Sequence, residues 1–161
     1  MWYLKNPLNY QWGKFKLFDQ IFPLFPKNIN TFVDLFGWSG EVGLNYESNK
    51  LIYNEKSNWV FEILKGMREN QNFISQVDQY IAKYNLSKTN KDWYMQARSD
   101  YNNSFVKDPV LLYVLICHSF NNQIWFNKKQ QFNVPFWLNR SSFNKKIRDN
   151  PPIIYVNNNT N

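Results

Sequence analysis

Residues 31–46, TFVDLFGWSGEVGLNY, constrain this chain more than any other stretch. Residues 31–36 form a β-branched and aromatic run too short for a helix, ending in Gly37-Trp38-Ser39-Gly40 before an apolar pattern resumes at Val42 and Leu44. That order reads as strand, tight glycine turn, helix. In open α/β sheets such a junction is where a ligand sits, because the helix N-terminus presents unpaired N–H groups and glycine lets the backbone come close. A plain β-turn under a buried strand is the alternative, since Gly-x-x-Gly is not a dinucleotide fingerprint.

With 161 residues the chain can bury one core but not two, and its 19% aromatic content excludes a disordered protein. A single cysteine, Cys117, leaves no internal disulfide and fits a reducing compartment. Residues 1–7 contain no apolar signal core, and no apolar run approaches the length of a membrane span. These features predict a cytoplasmic protein with no membrane partner. The formal charge of +7 favours anionic partners, because lysines and arginines neutralise phosphates and release counterions. Charge alone does not separate nucleic acid from an anionic membrane; the aromatic content tilts the reading to nucleic acid.

Ahead of the glycine turn, Phe18, Ile21 and Phe22 are helix-spaced, and Pro23 and Pro26 close the segment. After it, Leu51-Ile52-Tyr53 predicts a second short strand, followed at once by Asn54-Glu55. Glu55 lies about twenty residues past the turn, where an acid at the end of the second strand can accept ribose hydroxyls. It could equally pair with Lys56 on the surface. Ser57 is placed to cap a helix bearing Val60, Phe61 and Leu64, with Gly66 at its end. Phe73, Val77, Tyr80, Ile81 and Tyr84 predict the next helix, residues 85–91 a loop, and Ala97 and Tyr101 a further helix. Asp108-Pro109 is a good helix start, and the almost wholly apolar residues 110–116 predict a helix buried on most sides. Cys117 and His118 at its end read as core residues, because no second Cys or His pair completes a metal site. Farther on, residues 124–127 and 132–134 flank Lys128-Lys129-Gln130, which predicts a hairpin with a basic tip. Asparagines there could bond base edges and lysines could hold phosphates; a solvated turn is the plainer alternative.

Three motifs in this order resemble the DNA adenine methyltransferases of the Dam type. Asp34-Leu35-Phe36-Gly37-Trp38-Ser39-Gly40 is similar to that family's S-adenosylmethionine motif, acidic-x-Phe-x-Gly-Gly-Gly. Tyr10-Gln11-Trp12-Gly13-Lys14 resembles the opening aromatic-x-Gly-Gly-Lys. Phe126-Asn127-Lys128-Lys129 and Phe132-Asn133-Val134-Pro135-Phe136 resemble the target-recognition segment, the most specific match of the three. The resemblance implies an α/β fold: an incomplete Rossmann-like methyltransferase sheet with an inserted, mainly helical target-recognition region. It places the N-terminal part of the cofactor domain in residues 1–66, the recognition region with its hairpin near 124–134 in residues 67–148, and a frayed tail in residues 149–161. It also implies S-adenosylmethionine as cofactor, held by Tyr10, Lys14, Asp34, Phe36, Gly37 and Glu55, the last standing where the family carries an Asp. Double-stranded DNA is the implied partner, faced by Asn121, Asn127, Lys128, Lys129 and Asn133, with no metal.

The departures form a pattern. Trp12, Trp38 and Trp137 stand at family glycines and Trp125 at a family arginine, residues whose codons lie a single base from a tryptophan codon or from UGA. A decaying or altered gene copy is the expectation, which the nucleotide sequence would settle. Adenine methylation also needs an oxygen pair to accept the amino hydrogens and an aromatic on the flipped base, which the family supplies from Asp-Pro-Pro-Tyr. This chain offers only Asn150-Pro151-Pro152-Ile153, and Ile153 cannot stack as Tyr does. The expectation is therefore a truncated or degenerate site-specific adenine methyltransferase, with no catalytic residue assigned and an exposed sheet edge that predicts association. A catalytically silent DNA-binding derivative is the second reading, and an aromatic-rich structural protein the third.

Overall fold

The computed structural model describes residues 3, 8, 13–37 and 40–149. Among them α1 (Phe18–Ile21), β1 (Thr31–Asp34), α2 (Glu41–Asn45), β2 (Lys50–Tyr53), α3 (Asn58–Glu69), α4 (Phe73–Lys83), α5 (Lys91–Asn103), α6 (Pro109–His118) and α7 (Lys145–Asp149) follow in order. The two strands run parallel, with Thr31 opposite Lys50 and Asp34 opposite Tyr53. Parallel neighbours need a crossover, and α2 provides it. The fold is thus mixed α/β, and the described residues contain no further strand of a Rossmann-like sheet.

Where one N-terminal helix was expected, α1 is a single turn between two 3-10 turns, Phe15–Leu17 and Phe22–Leu24. Pro23 lacks the N–H that a continuing helix needs, so the segment tightens and then leaves as extended chain at Phe25. Its rings form a chain of contacts. Phe18 stacks on Phe22 at 4.7 Å, Phe22 meets Tyr46 at 6.0 Å, and Tyr46 meets Phe32 of β1 at 4.9 Å.

The core is built on α6. Every residue from Val110 to His118 is buried, and α3, α4 and α5 all pack against this helix. A helix without a polar face has no side to offer water, so it must be enclosed. Its N-terminus is fixed as expected: Asp108 Oδ1 accepts from the Val110 and Leu111 N–H groups at 2.7 and 3.3 Å, and Asp108 Oδ2 accepts from the Tyr80 hydroxyl. Gly66 does not end α3, which runs on to Glu69. A Cβ at Gly66 would lie 3.1 Å from Phe73 Cε2, so this glycine serves the close approach of α4.

Cys117 and His118 are core residues. Burial pushes the Cys117 thiol up to about 12, so it stays protonated. His118 Nδ1 donates to the Val114 carbonyl at 2.8 Å, and desolvation holds the imidazole pKa below its ordinary 6.5. A group with a depressed folded-state pKa binds its proton more readily in the unfolded chain. Its contribution is therefore complete above about pH 6.5 and is lost as pH falls from there towards the folded value. Urea midpoints recorded across that window should fall more steeply for the wild type than for His118→Gln. Asp108→Ala, which removes the cap and strips the Tyr80 hydroxyl of its acceptor, should lower unfolding free energy by about 1–2 kcal/mol in the same assay.

Candidate cofactor junction and DNA-facing hairpin

At the C-terminal ends of the strands the backbone is tied into one unit. Asn54 N–H donates to the Asp34 carbonyl at 3.0 Å, Gly37 N–H to the Asn54 carbonyl at 3.0 Å, and Asn54 Nδ2 to the Leu35 carbonyl at 2.8 Å. A Cβ at Gly37 would lie 2.1 Å from Tyr53 Cε2, so only glycine lets the Tyr53 ring lie against the turn. Gly40 has φ of +73° and leads into α2, a conformation that costs glycine little and other residues more. Asp34 is buried, and its Oδ2 accepts from the Gly43 N–H at 3.0 Å. That amide is among those the start of a helix leaves unpaired, so Asp34 clips α2 onto the sheet. Gly43 is itself constrained, since a Cβ there would meet Leu51 Cδ1 at 2.8 Å and Asp34 Oδ2 at 3.1 Å. Sequence reasoning missed this glycine; its position three residues past Gly40 was the available signal.

Phe36 stands out from the junction at 72% exposure. Glu55, directly after β2, is half-buried and accepts the Ser57 N–H on Oε1 at 2.8 Å, which fixes the chain entering α3. Lys14 precedes the first 3-10 turn and its carbonyl accepts from Leu17 N–H at 2.8 Å. The ring contacts that anchor this segment run to Tyr46 and Phe32, towards the start of the strands, whereas Gly37 and Glu55 lie at their ends. Tyr10, Trp12, Trp38 and residues 150–153 lie outside the described residues.

The hairpin is narrow, joined by a bridge between Phe126 and Phe132 and by Asn127 N–H donating to the Gln131 carbonyl at 2.9 Å. Asn127 is occupied by its own turn: Oδ1 accepts from the Lys129 and Gln131 N–H groups at 2.9 and 3.0 Å, and Nδ2 donates to Gln131 Oε1 at 3.0 Å. Lys128, Lys129 and Asn133 are exposed. Asn121 is half-buried with a φ of +53° inside the turn that follows α6. Next to it, Asn122 Nδ2 donates to the Ile116 and Cys117 carbonyls at 3.2 and 3.0 Å, closing the C-terminus of α6.

Helix α5 holds the hairpin from behind. Asn102 Oδ1 accepts from Phe132 N–H and its Nδ2 donates to the Phe132 carbonyl, both at 2.9 Å, so one amide side chain imitates a neighbouring strand. Arg98 Nη1 and the Tyr94 hydroxyl both donate to the Val134 carbonyl at 2.9 Å. From the other side, Trp59 of α3 stacks on Phe126 at 4.8 Å and 15°. Between the two sites opens a cleft of about 830 Å³, lined by Glu55 on one side, Gln130 of the hairpin tip on another, and Trp59, Tyr101 and Lys107 between them. The Tyr101 hydroxyl is buried without a hydrogen-bond partner among the described residues. Lys107 Nζ is committed to the carbonyls of Tyr101, Asn102 and Ser104.

Residues 10–160 match the model of the D12 class N6 adenine-specific DNA methyltransferases. The chain belongs to that family. It is 42% identical over 150 residues to the modification methylase StsI of Streptococcus sanguinis, covering 92% of this chain and 23% of that protein. To the type II methyltransferase M.FokI of Planomicrobium okeanokoites it is 43% identical over 148 residues, 91% of this chain and 23% of the relative. The DNA adenine methylase of Haemophilus influenzae is 28% identical over 137 residues, 80% of this chain and 46% of that protein. The chain thus spans about a quarter of the first two relatives and about half of the third. No described helix is long and apolar enough to cross a membrane.

The α5 clamp is testable directly. Asn102→Ala leaves the Phe132 N–H and carbonyl without their partner, and should cost about 1–3 kcal/mol in urea unfolding while speeding hydrogen exchange at the Phe132 amide.

Proposed function

We propose that this methyltransferase-family chain is the cofactor-docking and target-recognition portion of a site-specific enzyme that moves a methyl group from S-adenosylmethionine to the exocyclic amino group of adenine in duplex DNA. The observation that carries the reading is the shared cleft: Glu55 at the end of β2 and Gln130 at the hairpin tip line the same space. A cofactor at the first and a base presented by the second would therefore meet. Residues 1–66 form the cofactor part in this reading and residues 67–148 the recognition part; of the tail expected over residues 149–161, residues 150–161 lie outside the described residues.

The residues present fit the cofactor at the acid. Glu55 spends Oε1 on its own loop and Oε2 carries no hydrogen bond among the described residues, which leaves an acceptor for a ribose hydroxyl. Phe36, exposed beside the turn, offers a ring to the rest of the molecule, and Tyr10 and Lys14 complete the set as the family resemblance implies. Asp34 and Gly37 act one step back, by holding the turn and α2 in place. When bound, S-adenosylmethionine supplies an electrophilic methyl group. The chain's own part is to orient it and to bring DNA alongside.

On the DNA side, Lys128 and Lys129 hold phosphates, Asn133 and Asn121 face the duplex, and Asn127 shapes the turn that presents them. The transfer itself needs the amide acceptors and stacking ring of an Asp-Pro-Pro-Tyr segment, and the sequence contains none. A silent DNA-binding derivative is the second reading. In either case the open face of the two-stranded sheet, where Val33 and Ile52 are 51% and 42% exposed opposite one another, and the strand edges that no described residue pairs are surfaces for association.

Calorimetric titration with S-adenosylmethionine separates the readings. Saturable binding that Glu55→Gln weakens by about tenfold is the expected result. DNA binding with no heat from the cofactor would leave only the silent derivative.

A further inference from the structure

The hairpin alternates strictly across its two arms. Ile124 and Phe126 on one arm, and Phe132, Val134 and Phe136 on the other, turn inward to the core. Trp125 and Asn133, joined by the Asn133 N–H to Trp125 carbonyl bond of 3.3 Å, stand between these and turn outward. Trp125 is 66% exposed. A large indole on a rigid, solvent-facing arm is costly to leave in water, and rings of this kind mark contact surfaces. The arms themselves are fixed, by Trp59 stacked on Phe126 and by Asn102, Arg98 and Tyr94 on the opposite arm. Lys128 and Lys129 follow Trp125 within four residues and are both exposed.

Resting on the reading of this hairpin as the DNA-facing element, we infer that Trp125 is a base-stacking wedge, seated at an unstacked step of duplex DNA while Lys128 and Lys129 hold the adjoining phosphates. Charge selects the occupant: two cations beside a bare aromatic face fit a polyanion whose bases are themselves aromatic. An indole has one N–H donor and no fork of donors, so it cannot name a base by a bidentate pair. What it can read is the ease with which a step opens. Discrimination at this position is therefore by deformability, and it favours flexible or mismatched steps over stiff, fully stacked ones.

The test is fluorescence anisotropy of the full chain with a labelled matched duplex and with the same duplex carrying a single central mismatch. The wild type should bind the mismatched duplex several-fold more tightly. Trp125→Ala should weaken that binding about tenfold and erase the preference, Trp125→Phe should keep most of both, and neither should change the thermal unfolding midpoint. If Trp125→Ala binds both duplexes as the wild type does while the pair Lys128→Gln and Lys129→Gln weakens binding, the wedge is overturned and the DNA-facing hairpin stands. If the wild type binds neither duplex, the DNA reading falls and the wedge with it.

Discussion

The structure depends on enclosing one apolar helix. Because α6 is buried from Val110 to His118, each of its neighbours is held where it covers a share of that surface. Burying side chains of this size stabilises by about 1.5–3 kcal/mol each, far more than any single surface contact in the molecule. The two ends of α6 then border the cleft and the hairpin. Lys107 and Pro109, at its start, line the cleft that Glu55 enters. Its last turn is closed by Asn122, and the His118 carbonyl accepts the Trp137 N–H at 3.4 Å beyond the hairpin. Because Gln130 of the hairpin tip lines that same cleft, the buried rod holds cleft and hairpin against each other.

That arrangement explains which parts were legible in advance. The wholly apolar run at residues 110–116, the Asp108-Pro109 start and the core character of Cys117 and His118 follow from local chemistry, and the structure has them. The glycine turn between two short strands was legible too, since glycine suits a site where a Tyr53 ring lies against Gly37 and where Gly40 takes a left-handed φ. The mixed α/β class follows from that junction. What could not be read were jobs set by distant partners. Tyr94, Arg98 and Asn102 fall at spacings of four on α5, a pattern that in sequence looks like a solvated face with one ring. Only the fold shows that all three point at backbone groups thirty or more residues away.

Asparagines were the hardest residues to place for the same reason. An Asn carries two donors and an acceptor, and it is equally at home on a base edge, in a turn or at a helix end. Asn127 closes a turn on itself, Asn122 caps α6, Asn54 ties the strand ends together and Asn102 mimics a strand. Each is held by groups close at hand or across the core. Among those singled out for DNA, Asn133 differs, because it is exposed on the outward face of the hairpin.

The contrast between the two halves of the molecule is itself physical. The helical part is closed: α3, α4 and α5 cover α6, and the clamp from α5 leaves the hairpin little freedom. The strand part is open, with a two-stranded parallel ribbon covered on one face by α2 and bare on the other. Parallel pairs in stable sheets are covered on both faces and flanked on both edges, because each bare strand leaves a row of unpaired amides and a strip of apolar side chains. Val33 and Ile52 sit side by side on that bare face, with Leu35 and Phe36 exposed just beyond the end of β1. A ribbon of this kind borrows its order from Tyr53, Leu51 and α2 on the covered side. Anything that adds strands or helices to the bare side would therefore stiffen the glycine turn and Glu55 together, since both hang from the same two strand ends.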